Sequence, residues 1–148
     1  MDEMAVLPNA YWEGSGHNVE MACTLASIGQ VESSQKVRAW YPHVKPNMDT
    51  MGTHNDCLCL ELYREGLITD SKRWRNSHQW AKYRRIMQSR PDFGTLIASK
   101  AFVRLSNKFG QENAIQMWKT GHVGTVPGLE YLMQIKAIKA KMIAMCRR

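Results

Sequence analysis

Thr24-Leu-Ala-Ser-Ile-Gly-Gln-Val-Glu-Ser-Ser34 is an apolar run that ends on an acid and two serines. Val19, Ala22, Cys23, Ala26 and Gly29 recur at steps of three and four, the spacing of one face of an α-helix. Asn18 stands where a helix cap belongs. Glu20 falls in the first turn, where a negative charge suits the exposed N–H groups. Ala22, Ala26 and Gly29 are small, so a second helix can approach this face closely. The spacing predicts a helix from about Val19 to the Val31–Ser34 region, with Glu32 at its end. A carboxyl in that position sits at the edge of a core, where a cleft opens. Partial burial disfavours a charged carboxylate, and a carboxyl that keeps its proton near neutral pH can protonate a leaving oxygen. The plainer reading of Glu32 is an exposed surface acid.

The 148 residues are enough to bury a real core, and 1–148 reads as a single domain. A charged content of 22% with 44% hydrophobic residues fits an ordinary globular protein. No apolar run is long enough to span a bilayer. Met1-Asp-Glu-Met-Ala-Val-Leu-Pro8 lacks the basic and apolar regions of a secretory signal, so the expectation is synthesis in the cytoplasm. The net charge of +7 is unevenly placed. Residues 1–35 hold five acids and no Lys or Arg, which leaves 20 bases against 8 acids in the remainder. Such a body is drawn to a polyanion: nucleic acid, an anionic membrane surface or an acidic cell-wall polymer.

Residues 1–17 are mixed, with Pro8, Gly14 and Gly16, and read as an entry segment. Residues 36–56 read as a long loop holding Pro42, Pro46 and Gly52, and loops of that length are often functional. Trp40 and Tyr41 lie just after the acid, where aromatic rings either stack on sugars or cover the core. Cys57 to Gly66 fits a short helix or an alternating strand. Ser71 to Arg90 carries seven Lys or Arg and no acid, interleaved with Trp74, Trp80 and Tyr83. A helix from about Ser77 would turn these aromatics inward and the cations outward, and a nucleic-acid-binding helix has the same composition. Pro91-Asp-Phe-Gly94 reads as a break, with Thr95 capping a helix that Gly110 stops. A shorter helix follows over Gln111–Lys119, then a Gly/Pro loop, then a last helix from about Leu129 to Cys146. The cysteines read as reduced core thiols; zinc held by His54, Cys57 and Cys59 is the less favoured alternative.

Three pieces then line up in order. A helix ends in Val31-Glu-Ser33. A later stretch reads Ile97-Ala-Ser-Lys-Ala-Phe-Val-Arg-Leu-Ser-Asn-Lys-Phe-Gly110, followed by a helix ending in Trp118-Lys-Thr-Gly121. Tyr131-Leu-Met-Gln-Ile135 comes after a Gly/Pro loop. Over residues 18–140 this pattern resembles the lytic transglycosylase branch of the lysozyme-like superfamily. Trp118-Lys-Thr-Gly121 stands where that family has Tyr-Asn-x-Gly. Gly52-Thr-His-Asn-Asp56 stands where it has Gly-Leu-Met-Gln.

The resemblance implies a mainly α, lysozyme-like fold. It also implies cleavage of the β-1,4 bond between N-acetylmuramic acid and N-acetylglucosamine in peptidoglycan glycan strands, without metal or organic cofactor. Glu32 would be the single acid/base, with Ser33 fixing its orientation and Trp118 and Tyr131 lining the cleft. A water-using muramidase would need a second carboxylate, for which Asp49 and Asp56 are the candidates by position. Delivery to the wall would then fall to a virion or a secretion assembly. Two other readings stand beside this one: a nucleic-acid-binding helical module built on residues 72–90, and a lysozyme-like fold kept as a structural part of a larger assembly.

Overall fold

The computed structural model describes residues 3–34, 48–69 and 77–146, and every regular element among them is an α-helix. These are α1 (Glu3–Gly14), α2 (Val19–Ser33), α3 (Asn55–Arg64), α4 (His78–Ser89), α5 (Pro91–Phe109), α6 (Gln111–Thr120) and α7 (Val126–Cys146). Trp40 and Tyr41, and Lys72, Arg73, Trp74 and Arg75 of the basic segment, lie outside the described residues.

The long helix α5 is the axis of the packing. Its 19 residues span about 28 Å. It packs against α1, α3, α4 and α6 and touches α2. Its sequence allows this because apolar and small residues alternate around it. Ile97, Ala98 and Phe102 are fully buried, while Gly94, Ser99 and Ala101 leave room for neighbouring backbones. Helix α7 runs back over α6 and α2, burying Tyr131, Leu132 and Ile135 on one face.

Three bounds differ from or add to the sequence expectation, and one open choice is resolved, each for a physical reason. The entry segment, to which the sequence assigns no element, holds helix α1. Ala10 and Tyr11 are buried, and Gly14 lies so close to Ser99 of α5 that any Cβ there would overlap its side chain. Tertiary packing, rather than local periodicity, holds α1 in place. The ambiguous stretch from Cys57 is helix α3, whose buried Leu58, Cys59, Glu61 and Leu62 repeat at helical steps. Pro91 opens α5 rather than breaking the chain, because a first-turn position has no N–H bond to lose. Thr95 is consequently an interior residue and not a cap. The last helix begins at Val126: Thr125 Oγ1 accepts from the Gly128 N–H (3.1 Å), and Pro127 sits in the first turn.

The remaining caps follow the sequence. Asn18 Oδ1 accepts from Met21 N (2.8 Å), and Ser77 Oγ accepts from Trp80 N (3.4 Å). Cys23 and Cys59 are buried and Cys57 is partly buried, and none of the three is in a disulfide. No group of metal-binding side chains occurs among the described residues.

One ion pair ties α3 to α5. Glu61 is 1% exposed, and both its oxygens accept from Arg104, at 3.0–3.2 Å. Lys100 reaches Glu65 at 3.3 Å, so residue numbers rise along α3 as they fall along α5 and the two helices run antiparallel. Arg104→Ala leaves a buried carboxylate without its partner. Removing one member of a buried pair costs about 3–5 kcal/mol, and the half-exposed Arg104 places this case near about 3. Urea unfolding measures it. A loss below about 1 kcal/mol would show that the pair behaves like an exposed one.

Candidate active site

Helix α2 delivers Glu32 half-buried at its last turn, and Ser34 ends the helix in the left-handed region (φ 51°). Against that end sits the turn 48–54, in which Asp49, Thr50 and Met51 are buried. The turn is held from every side. Ser33 Oγ donates towards Thr50 O (2.8 Å) and Gly29 O (3.0 Å). Thr50 N donates to Thr95 Oγ1 (3.1 Å), and the Thr50 hydroxyl pairs with Tyr11 Oη (2.7 Å). Trp118 Nε1 donates to Met51 O (3.0 Å), while its ring meets Phe102 edge-on at 5.5 Å. Asp49 Oδ1 accepts from Met51 N (2.7 Å) and Thr53 Oγ1 (2.9 Å), closing the turn on itself.

This anchoring lays Gly52 directly over the acid. Its φ is +67°, and a Cβ there would sit 3.1 Å from Glu32 Oε2. Both facts call for glycine. On the other side lies Tyr131 of α7, 3% exposed. Its phenol oxygen is buried and makes no well-formed hydrogen bond among the described residues. Burial first, and then the adjacent Glu32 carboxylate, push the phenol well above its usual range, so it stays protonated. Glu32 itself enters no ion pair among the described residues.

Glu32, Ser33, Asp49 and Trp118, singled out in the sequence, therefore meet around one turn, and Tyr131 lies near the Glu32 carboxylate. Ser33 does so by fastening the turn, and Trp118 by binding its backbone. Asp56 stands apart, exposed in the first turn of α3, with Oδ1 3.0 Å from Cys57 N. Tyr11, Thr50, Gly94 and Thr95 also belong to the setting and were not singled out. Gly94 carried the available signal: an isolated glycine inside an apolar helical run marks a close approach. Here the approaching group is the Met48 carbonyl.

Asp49 is 1% exposed, and burial is the main cause that raises its carboxyl to about 6, with Glu32 adding to it. The folded state thus holds the Asp49 proton more tightly than the unfolded chain, whose value is near 3.8. Its contribution to stability is greatest below pH 4, falls as pH rises from about 4 to 6, and is flat above. Two pH units correspond to about 3 kcal/mol as an upper figure. In urea unfolding, the difference between wild type and Asp49→Asn should move by about 2 kcal/mol between pH 4 and 7. A difference independent of pH would overturn this account of Asp49.

Beside Gly52 a groove of about 520 Å³ opens between α3 and α5, lined also by Trp118 of α6 and by Gly121, which caps that helix. Asp56, Leu60, Glu61 and Arg64 form its α3 wall. Arg104, Leu105, Lys108 and Phe109 form its α5 wall. Glu32 is not part of the lining; it sits behind Gly52, at the groove's end.

No protein-family model, curated protein or solved structure gives a significant match to the chain.

Proposed function

We propose that this protein cleaves peptidoglycan glycan strands at the β-1,4 bond between N-acetylmuramic acid and N-acetylglucosamine, as a lytic transglycosylase with Glu32 as its acid and base. The observation that carries the reading is the placing of Glu32, half-buried at the end of α2 beneath Gly52, where a Cβ on residue 52 would lie 3.1 Å from Glu32 Oε2. In the reaction Glu32 gives its proton to the leaving O4 as the C1–O4 bond breaks. The muramyl 6-hydroxyl then attacks C1 and returns its proton to Glu32, forming the 1,6-anhydro ring. One carboxyl is enough for this sequence, whereas water-using glycosidases employ two. Asp49 is buried and bound within its turn, which supports the single-carboxylate route. Asp56, exposed along the groove, is the acid a hydrolase would use.

Digestion of purified peptidoglycan with mass spectrometry of the soluble products tests the proposal. Anhydro-muropeptides support it. Reducing-end products would replace it with a muramidase, and no products beside an active control would remove it. The basic helix α4 presents Lys82, Arg84 and Arg85 outward, where they suit an acidic wall polymer, while Trp80 is buried and not available to stack on bases. No helix among the described residues is long and apolar enough to cross a membrane. In this reading the protein acts at the bacterial wall, delivered by a virion or a secretion assembly.

A buried hydroxyl without a hydrogen bond is unfavourable by about 1–3 kcal/mol. Tyr131→Phe is therefore expected to hold or raise the melting temperature, while kcat falls only if the phenol acts on the Glu32 carboxylate beside it. Unchanged kcat would separate Tyr131 from the chemistry.

A further inference from the structure

Helix α7 buries one face and leaves the opposite face open among the described residues. Tyr131, Leu132 and Ile135 lie against the core. The other face carries Val126, Leu129, Met133, Ala137, Ala140 and Ala144, every one of them exposed. Successive steps of three or four residues keep all six on one stripe. Val126 is 68% exposed and Met133 72%. The solvent face of a helix is ordinarily polar, so a continuous apolar stripe marks a contact surface.

The order of sizes along the stripe says what covers it. Val126, Leu129 and Met133 make its first half large, and three alanines make its second half small. Turned end for end, the same stripe sets large residues opposite small ones. Val126 then meets Ala144, Leu129 meets Ala140 and Met133 meets Ala137, each pair being centred near residue 135. The charges follow the same register. Glu130 and Lys141 are both exposed, and they share one flank of the stripe because the residues between them make up about three helical turns. Neither enters an ion pair among the described residues, whereas Lys136 and Lys139 are held by Glu112 and Glu20 of the same chain. End-for-end pairing brings Glu130 of one copy to Lys141 of the other, and two-fold symmetry makes that contact twice.

We infer that two copies of this chain associate through α7, packed antiparallel about a two-fold axis near Ile135. The alanines let the helix axes approach closely while the larger side chains fill the space opposite them. A parallel pair would set large residues against large ones and leave a gap along the alanines. The stripe is about 27 Å long and about 10 Å wide, well under the roughly 800 Å² per partner of a standard interface, so the dimer is weak, with Kd on the order of 10–100 μM. The pairing is independent of the chemistry proposed for Glu32, since Tyr131, near that carboxylate, lies on the buried face of α7.

Sedimentation equilibrium of the full chain at low salt, from about 5 to about 500 μM, brackets that Kd and should show a monomer–dimer equilibrium. Met133→Glu, at a position open to solvent, should weaken it at least about 10-fold. Glu130→Lys and Lys141→Glu should each weaken it about 10-fold, because like charges then meet at both symmetric contacts. An equimolar mixture of those two variants should associate to within about 3-fold of wild type, since only the mixed pair brings opposite charges together.

A chain that stays monomeric at about 500 μM would overturn the pairing. If that monomer floats with anionic vesicles and Met133→Glu abolishes the flotation, the stripe belongs to a lipid surface instead. A dimer that survives Met133→Glu unchanged would use another surface and overturn the assignment to α7. A mixture that associates no more tightly than either charge variant alone would overturn the antiparallel register on which the inference stands.

Discussion

Glu32→Gln is expected to lower the release of soluble muropeptides by about 10⁴-fold, the upper end for loss of a general acid–base group. The upper end applies because the same carboxyl serves both proton transfers and nothing beside it can substitute. Asp49, the other acid at the turn, is 1% exposed and has one oxygen held by Met51 N and Thr53. The Tyr131 phenol is pushed up by burial and cannot act as a base near neutral pH. Gln keeps the shape of Glu, and the substituted group is half-buried at a helix end, so the melting temperature should stay within about 2–4 °C of wild type, the shift for 1 kcal/mol in a chain of this size. Loss of activity with the fold retained places the chemistry on the carboxyl. Activity reduced less than about 10-fold would sink Glu32 as the acid, and the cleavage reading with it.

How much of this was legible in the sequence follows from where the information lay. Helix α2 could be read because capping and periodicity are local: Asn18, the three–four spacing and the acid at the end all lie within about fifteen residues. Glu32 and Trp118 were singled out from distant parts of the chain, and both meet the turn. Helix α1 was not legible, because what secures it is the approach of Gly14 to Ser99, a contact 85 positions away in the chain. Thr95 was misread for a related reason. A threonine after a Pro-x-x-Gly sequence fits a cap, but its hydroxyl instead accepts from the Thr50 N–H, 45 positions back. Asp49 and Asp56 were equivalent by position in the sequence. Burial separates them, since one closes a turn inside the protein and the other lies open on α3. Local signals thus gave the elements, whereas the turn beside the acid is held by partners on four helices.

Gly94→Ala is the second large effect, and it opposes intrinsic preference. In an exposed helix interior this change would stabilise by about 1 kcal/mol. Here a Cβ on residue 94 would overlap the carbonyl oxygen of Met48, and a backbone atom cannot swing aside as a flexible side chain can. The turn behind that carbonyl is fixed by Ser33, Thr95 and Trp118, so relief requires several hydrogen bonds to give together. Overpacking of a well-filled interior costs about 1–3 kcal/mol, and a backbone neighbour puts this case at the top. Net of the helix gain, we expect about 2 kcal/mol of destabilisation, read as a melting temperature about 4–8 °C lower. Activity should fall further than stability does. If the turn lifts, Gly52 leaves the Glu32 carboxylate, and a misplacement of about 1 Å in a catalytic site can cost 100-fold in rate. Thermal melting and kcat on peptidoglycan, measured on the same preparation below its melting range, separate the two effects. An alanine variant that melts higher and turns over normally would mean that the turn is not seated on α5. If α5 is the seat, a single methyl group on the far side of the turn, outside the groove and away from the acid, is enough to disarm Glu32.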